Sequence, residues 1–145
     1  MTGEKFALFA QDRTETAQTL RECSARTARY QLTLSEAEIG MLLTAQEDAL
    51  QASGRVELGE SILPRLALTL CDSPYIGQAD YAQTLAAMQA LFYRCKTESD
   101  GKLTDSALLR LLCETFNGPA QGSLDYLEQA AMEISRAARH GWEAV

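Results

Sequence analysis

The residues that most readily bind metals or carry acid–base chemistry here are four cysteines, one histidine and scattered carboxylates. Cys23, Cys71, Cys95 and Cys113 are spaced 48, 24 and 18 residues apart. No two form a CxxC pair, so the spacing carries no zinc or redox signature. Each cysteine has apolar neighbours at helical spacing: Leu20 for Cys23, Leu68 for Cys71, Leu91 and Phe92 for Cys95, Leu109 and Phe116 for Cys113. They read as small buried hydrophobes. Spacing alone leaves open whether the four converge in space. His140 stands alone. A zinc protease needs two histidines, and HExxH is absent. A helical di-iron site needs ExxH pairs, and the residue three before His140 is Ala137. His140 follows Arg136 and Arg139 at the end of a predicted helix, where positive charge complements the helix dipole. The stretch from Lys96 to Leu103 has the glycine and leucine of a calcium loop. With Gly101 in sixth place, however, the first and twelfth places are Lys96 and Ala107, where carboxylates are needed. Neither a P-loop nor a GxGxxG is present. The expectation is therefore no catalytic set, no metal and no cofactor.

Two connectors are less ordinary. Arg55-Val56-Glu57 falls between helices, and Ser73-Pro74-Tyr75-Ile76 puts an aromatic and an aliphatic side chain in a turn. In one reading Tyr75 and Ile76 plug the edge of the core while Arg55 and Glu57 pair locally. In the other, the connectors form one recognition surface, since binding residues collect on loops held by a rigid scaffold. The candidate ligand- or partner-binding residues are Arg55, Glu57, Ser73 and Tyr75, with Tyr81 and Tyr93 from the following helix.

Six helices would position these residues. The first runs from about Thr14 to Tyr30, after an ambiguous opening in which Phe6, Leu8 and Phe9 tuck against the core. The second starts at Ser35, where Glu38 completes a capping box and Leu34 can pack on Ile39; Ser53-Gly54 ends it. The third begins near Ser61 and tolerates Pro64 in its first turn. Leu66–Leu70 alternates like a strand, but nothing nearby offers a pairing strand, so helix is expected. Asp72–Gly77 reads as a turn. The fourth helix, about Gln78 to Lys96, is strongly amphipathic through Tyr81, Leu85, Met88 and Phe92, and is expected to be central. The fifth starts after Thr104 and stops at Asn117-Gly118-Pro119. The sixth starts after Ser123 and runs to about His140, with Leu124, Leu127, Ala131, Ile134 and Ala138 facing inward.

Composition agrees with this outline. Ala and Leu supply 43 of 145 residues, whereas Val and Ile supply six. Strong helix formers dominate and the stiff residues that favour strands are nearly missing. The expected architecture is a single all-α domain over residues 1–145, a bundle of about six helices with antiparallel neighbours. Net charge is −7, concentrated in residues 31–60, where six acids face one base. A nucleic-acid binder needs a concentrated basic face, and none is apparent. No stretch reaches the ~18–20 apolar residues of a membrane span, and the start lacks the features of a signal peptide. A soluble cytoplasmic protein is expected.

Gly54-Arg55-Val56-Glu57-Leu58-Gly59, Cys71-Asp72-Ser73-Pro74-Tyr75-Ile76, Leu91-Phe92-Tyr93 and Gly122-Ser123-Leu124-Asp125-Tyr126-Leu127 resemble segments of an uncharacterised family. Its members are short all-helical bacterial proteins of about this length, found mainly in Gram-positive anaerobes. The resemblance covers nearly the whole chain and implies a bacterial cytoplasmic origin. It carries over no catalytic residue. The functional expectation is a non-enzymatic adaptor that binds a protein partner or a second copy of itself as a homodimer. The alternative is a small-molecule sensor or small enzyme with a pocket near connectors 54–60 and 72–77.

Overall fold

The computed structural model describes residues 2–54 and 61–141, with side chains from residue 13 onward. It contains α1 (Thr2–Thr27), α2 (Glu36–Ser53), α3 (Ile62–Leu70), α4 (Tyr81–Glu98), α5 (Asp105–Asn117) and α6 (Leu124–Arg139). Short 3-10 turns at Ala28–Tyr30 and Gln78–Asp80 extend α1 and precede α4. No strand occurs among the described residues. The all-α expectation holds, and Leu66–Leu70 is helical.

The caps lie where the sequence puts them. Ser35 Oγ accepts the Glu38 N–H while Glu38 reaches back to the Ser35 N–H, closing the capping box of α2. Ser61, Thr104 and Ser123 each accept a backbone N–H from the first turn of α3, α5 and α6. Such caps satisfy donors that a helix start leaves unpaired, typically worth about 1 kcal/mol each. At the other end of α2, Gly54 takes the left-handed conformation at φ 65° and caps the chain back onto Leu50 and Gln51.

One boundary differs. Helix α1 begins at Thr2, about three turns before the expected Thr14. The opening residues Glu4–Ala10 join the helix, and no Pro or Gly interrupts the chain between Glu4 and Thr14. The expected docking of Phe6, Leu8 and Phe9 lies outside the described side chains.

Helix α4 packs against α2, α3, α5 and α6, as its wide apolar face requires, while α1 covers α2 and α3. Leu42, Leu66, Leu85, Met88, Leu112 and Leu127 from five helices lose all solvent contact in one continuous core. Ion pairs give the helix directions. Arg13–Glu47 and Arg21–Glu36 run α1 antiparallel to α2. Arg94–Glu128 and Arg136–Glu98 run α6 parallel to α4, so α5 returns the chain between them. The α4–α5 turn is fixed by Lys96, whose Nζ donates to the Leu103 carbonyl at 2.8 Å and pairs with Asp105 at 2.9 Å. A lysine thus stands where a calcium loop would start.

Candidate functional site

The structure places four of the six residues that the sequence grouped. Arg55 and Glu57 lie outside the described residues. Tyr81 opens α4 with its side chain fully buried, and its hydroxyl donates to the Ala67 carbonyl at 3.4 Å. Burial, ahead of every other influence, pushes its pKa up. Tyr93 is 3% exposed. Twelve residues of helix separate the two rings, about 18 Å along α4. Both serve the core, and they do not share one opening with Tyr75.

Ser73 and Tyr75 do form part of a defined surface. Ser73 is buried at the end of α3, where its N–H donates to the Leu70 carbonyl. Its hydroxyl donates to Asn117 Oδ1 at 2.6 Å and accepts the Tyr75 N–H at 3.3 Å. One serine therefore ties the 72–77 connector to the end of α5 and sets where Tyr75 leaves the turn. The Tyr75 ring meets Phe116 edge-on, with centroids 6.4 Å apart and planes at 89°. Its other support is the α5–α6 loop. That loop winds tightly over the α5 terminus through Ala120 N–H to the Thr115 carbonyl and Gly122 N–H to the Phe116 carbonyl, both 2.9 Å. Gly122 sits at φ +84°, and a Cβ there would lie 2.7 Å from Tyr75 Cβ. The missing side chain is what lets Tyr75 pass.

Tyr126 belongs to the same end of the molecule, one turn into α6 beyond Gly122. Tyr75 and Tyr126 are 44% and 49% exposed, the most exposed large hydrophobic side chains among the described residues. Sequence reasoning missed Tyr126, although a signal was present: it falls outside the inward face Leu124, Leu127, Ala131 and Ala138. Asp72 and Glu114 both act on the Cys113 thiol, which burial, more than these charges, pushes up to about 11. These two acids therefore flank the same place, while Asp125, next to Tyr126 in sequence, lines a neighbouring groove with Arg94 and Arg136.

The thiols are protected rather than activated. Cys23, Cys95 and Cys113 are buried, Cys71 is half-buried, and all four are free. Burial raises each pKa, which disfavours the nucleophilic thiolate. Cys71 donates to the Leu68 carbonyl, and Cys95 meets the Met132 sulfur at 3.9 Å. Among the described residues no three His, Cys, Asp or Glu side chains are grouped to hold a metal. His140 ends α6, and its N–H caps the Arg136 and Ala137 carbonyls. A groove of about 650 Å³ runs between α1 and α3, floored by Cys23, Pro64 and Leu68 and rimmed by Glu22, Arg26 and Arg65. No helix among the described residues is long and apolar enough to cross a membrane.

The sequence profile of a family of unknown function, DUF6323, covers residues 19–144, and the chain belongs to that family. No curated protein and no solved structure matches it.

Proposed function

We propose that this chain is a non-enzymatic interaction domain, one folded unit over residues 1–145, and that it engages a protein partner through Tyr75 and Tyr126. The observation that carries this reading is the cost the fold accepts to hold Tyr75 outward. A buried serine, a left-handed glycine and an edge-on phenylalanine all fix a ring that remains 44% exposed. Tyrosine offers large, rigid contact area with little side-chain entropy to lose, and it is enriched among the residues that dominate binding energy. Four free thiols, three of them buried, favour a reducing compartment and hence the cytoplasm.

The test places a photo-crosslinking phenylalanine analogue at position 75, 126 or, as a control, at the exposed Ala37 of α2, in cells that make the protein. The same discrete adduct from positions 75 and 126, absent from position 37, is expected. Tyr75→Ala should suppress the adduct formed from position 126. Adducts from all three positions, or from none, would refute the assignment.

The groove between α1 and α3 favours a second reading, a small-molecule sensor. Its volume falls within the range of ligand sites, and Ser61 at its edge follows connector 54–60 directly. Native mass spectrometry tests it: a reproducible added mass that is lost on denaturation supports a ligand, and bare protein at the sequence mass does not.

A further inference from the structure

We infer that the partner presents an arginine-rich segment, which lies across Tyr75 and Tyr126 with its guanidinium groups between the rings and the surrounding carboxylates. This deepens the interaction reading above and rests on it. The argument starts from charge. Residues 71–80 and 114–129, which meet at this end, contain Asp72, Asp80, Glu114, Asp125 and Glu128 and neither lysine nor arginine. Glu128 is neutralised by Arg94 at 2.9 Å. Asp72, Glu114 and Asp125 form no ion pair among the described residues. Bases border the patch: Arg94 holds Glu128 and lines a groove with Asp125 and Arg136, Arg110 is one turn before Glu114, and Arg26 and Arg29 act on Cys71 together with Asp72.

The chain carries more acid elsewhere, but of a different kind. On α2, Glu36 and Glu47 are taken by Arg21 and Arg13. The exposed apolar residue there is Met41, which lacks an aromatic face. At the Tyr75 end, unpaired carboxylates and exposed rings occur together. That pairing selects its occupant. A guanidinium stacks on an aromatic face and binds carboxylates in a two-pronged fashion, whereas an ammonium is a hydrated point charge that does the first less well. The same charges disfavour other occupants. A second copy docked on this face would set Asp72, Glu114 and Asp125 against their own images, because a two-fold contact repeats the same patch. Nucleic acid and anionic lipid would meet the same repulsion.

The test is a two-dimensional 1H–15N NMR titration of the full chain with three ten-residue peptides, alternating Gly with Arg, Lys or Glu. The Arg peptide should move the amide signals of the non-proline residues of 72–76 and 118–126. Its affinity should fall as salt rises from about 50 to 300 mM, as expected for a screened charge contact. The Lys peptide should bind several-fold more weakly and the Glu peptide should leave the spectrum unchanged. Tyr126→Ala should weaken Arg-peptide binding by about two- to five-fold, and Asp72→Asn should weaken it as well. Shifts centred on α2, equal affinity for Arg and Lys peptides, or indifference to Tyr126→Ala would each overturn the inference. The outcomes separate from those of the crosslinking test. A crosslinked partner without a basic segment overturns the arginine assignment and leaves the interaction reading intact. Failure of crosslinking overturns the interaction reading itself.

Discussion

Replacing Gly122 by alanine tests how Tyr75 is held. Two physical effects add. At φ +84° an alanine is strained, at roughly 1–2 kcal/mol for the left-handed region. The new Cβ would also lie 2.7 Å from Tyr75 Cβ, 3.0 Å from Cγ and 3.2 Å from Cδ1. Overpacking of this kind costs about 1–3 kcal/mol, according to how far the neighbour can give way. The expected loss is therefore about 2–5 kcal/mol, a large fraction of the ~5–15 kcal/mol that holds a domain together. Gly101 is the internal control: it lies at φ +72° with nothing within 4 Å of its Cβ position. Gly101→Ala should show the strain alone, about 1–2 kcal/mol. The assay is urea unfolding followed by circular dichroism, with each variant compared at a common slope. Tyr75→Gly removes all three atoms that crowd Gly122. In that background Gly122→Ala should fall back to the cost of Gly101→Ala. Equal costs of Gly122→Ala with and without the Tyr75 side chain would refute the steric account. So would a Gly122→Ala loss no larger than that of Gly101→Ala.

Three further outcomes are expected. Gly40 lies inside α2 with open space at its Cβ position, so Gly40→Ala should stabilise the protein by about 0.5–1 kcal/mol in the same urea assay. Gln89 is fully buried between α4 and α2; its Nε2 donates weakly to the Leu42 carbonyl at 3.5 Å, and its Oε1 has no partner among the described residues. Gln89→Met relieves that buried oxygen and should gain about 1 kcal/mol, read as a Tm rise of roughly 2–4 °C; a lower Tm would show that the oxygen is satisfied. The folded pKa of Cys113 is raised to about 11 from 9.0, so between these values the unfolded chain sheds its proton first and stability falls as pH rises. The other three thiols and Tyr81 are shifted in the same direction. The urea midpoint should therefore drop between pH 8 and pH 10.5, and Cys113→Ala should lessen the drop.

What could be read from the sequence was local. A capping serine or threonine acts on an N–H two or three residues away, so Ser35, Ser61, Thr104 and Ser123 announced four helix starts on their own. The stop at Asn117-Gly118-Pro119 was legible for the same reason. The start of α1 was not, because Glu4–Ala10 shows no clear apolar stripe and its helicity had to be set against an ambiguous pattern. The candidate site divided along the same line. The composition of Ser73–Ile76 marks an unusual loop. Its partners lie about 44 residues away at Asn117 and Phe116, and no local rule reaches that far. Tyr81 is by sequence both a core position and a binding candidate, and the structure buries it fully, as it does Leu85 and Met88. Tyr126 was visible as an aromatic on a polar face, but nothing in the sequence joined it to Tyr75.

The place of α4 at the centre of the bundle has a consequence for synthesis. The helix packs on α2 and α3, made before it, and on α5 and α6, made after it. Forty-one residues separate the end of α4 at Glu98 from the end of α6 at Arg139. At ~5–20 residues per second a ribosome needs roughly 2–8 s to make them. Throughout that interval the flank of α4 that α6 covers, including Cys95, lacks its completed partner. The newborn chain is therefore most prone to aggregation after its fourth helix, and a pause introduced between α4 and α6 would lengthen that window directly.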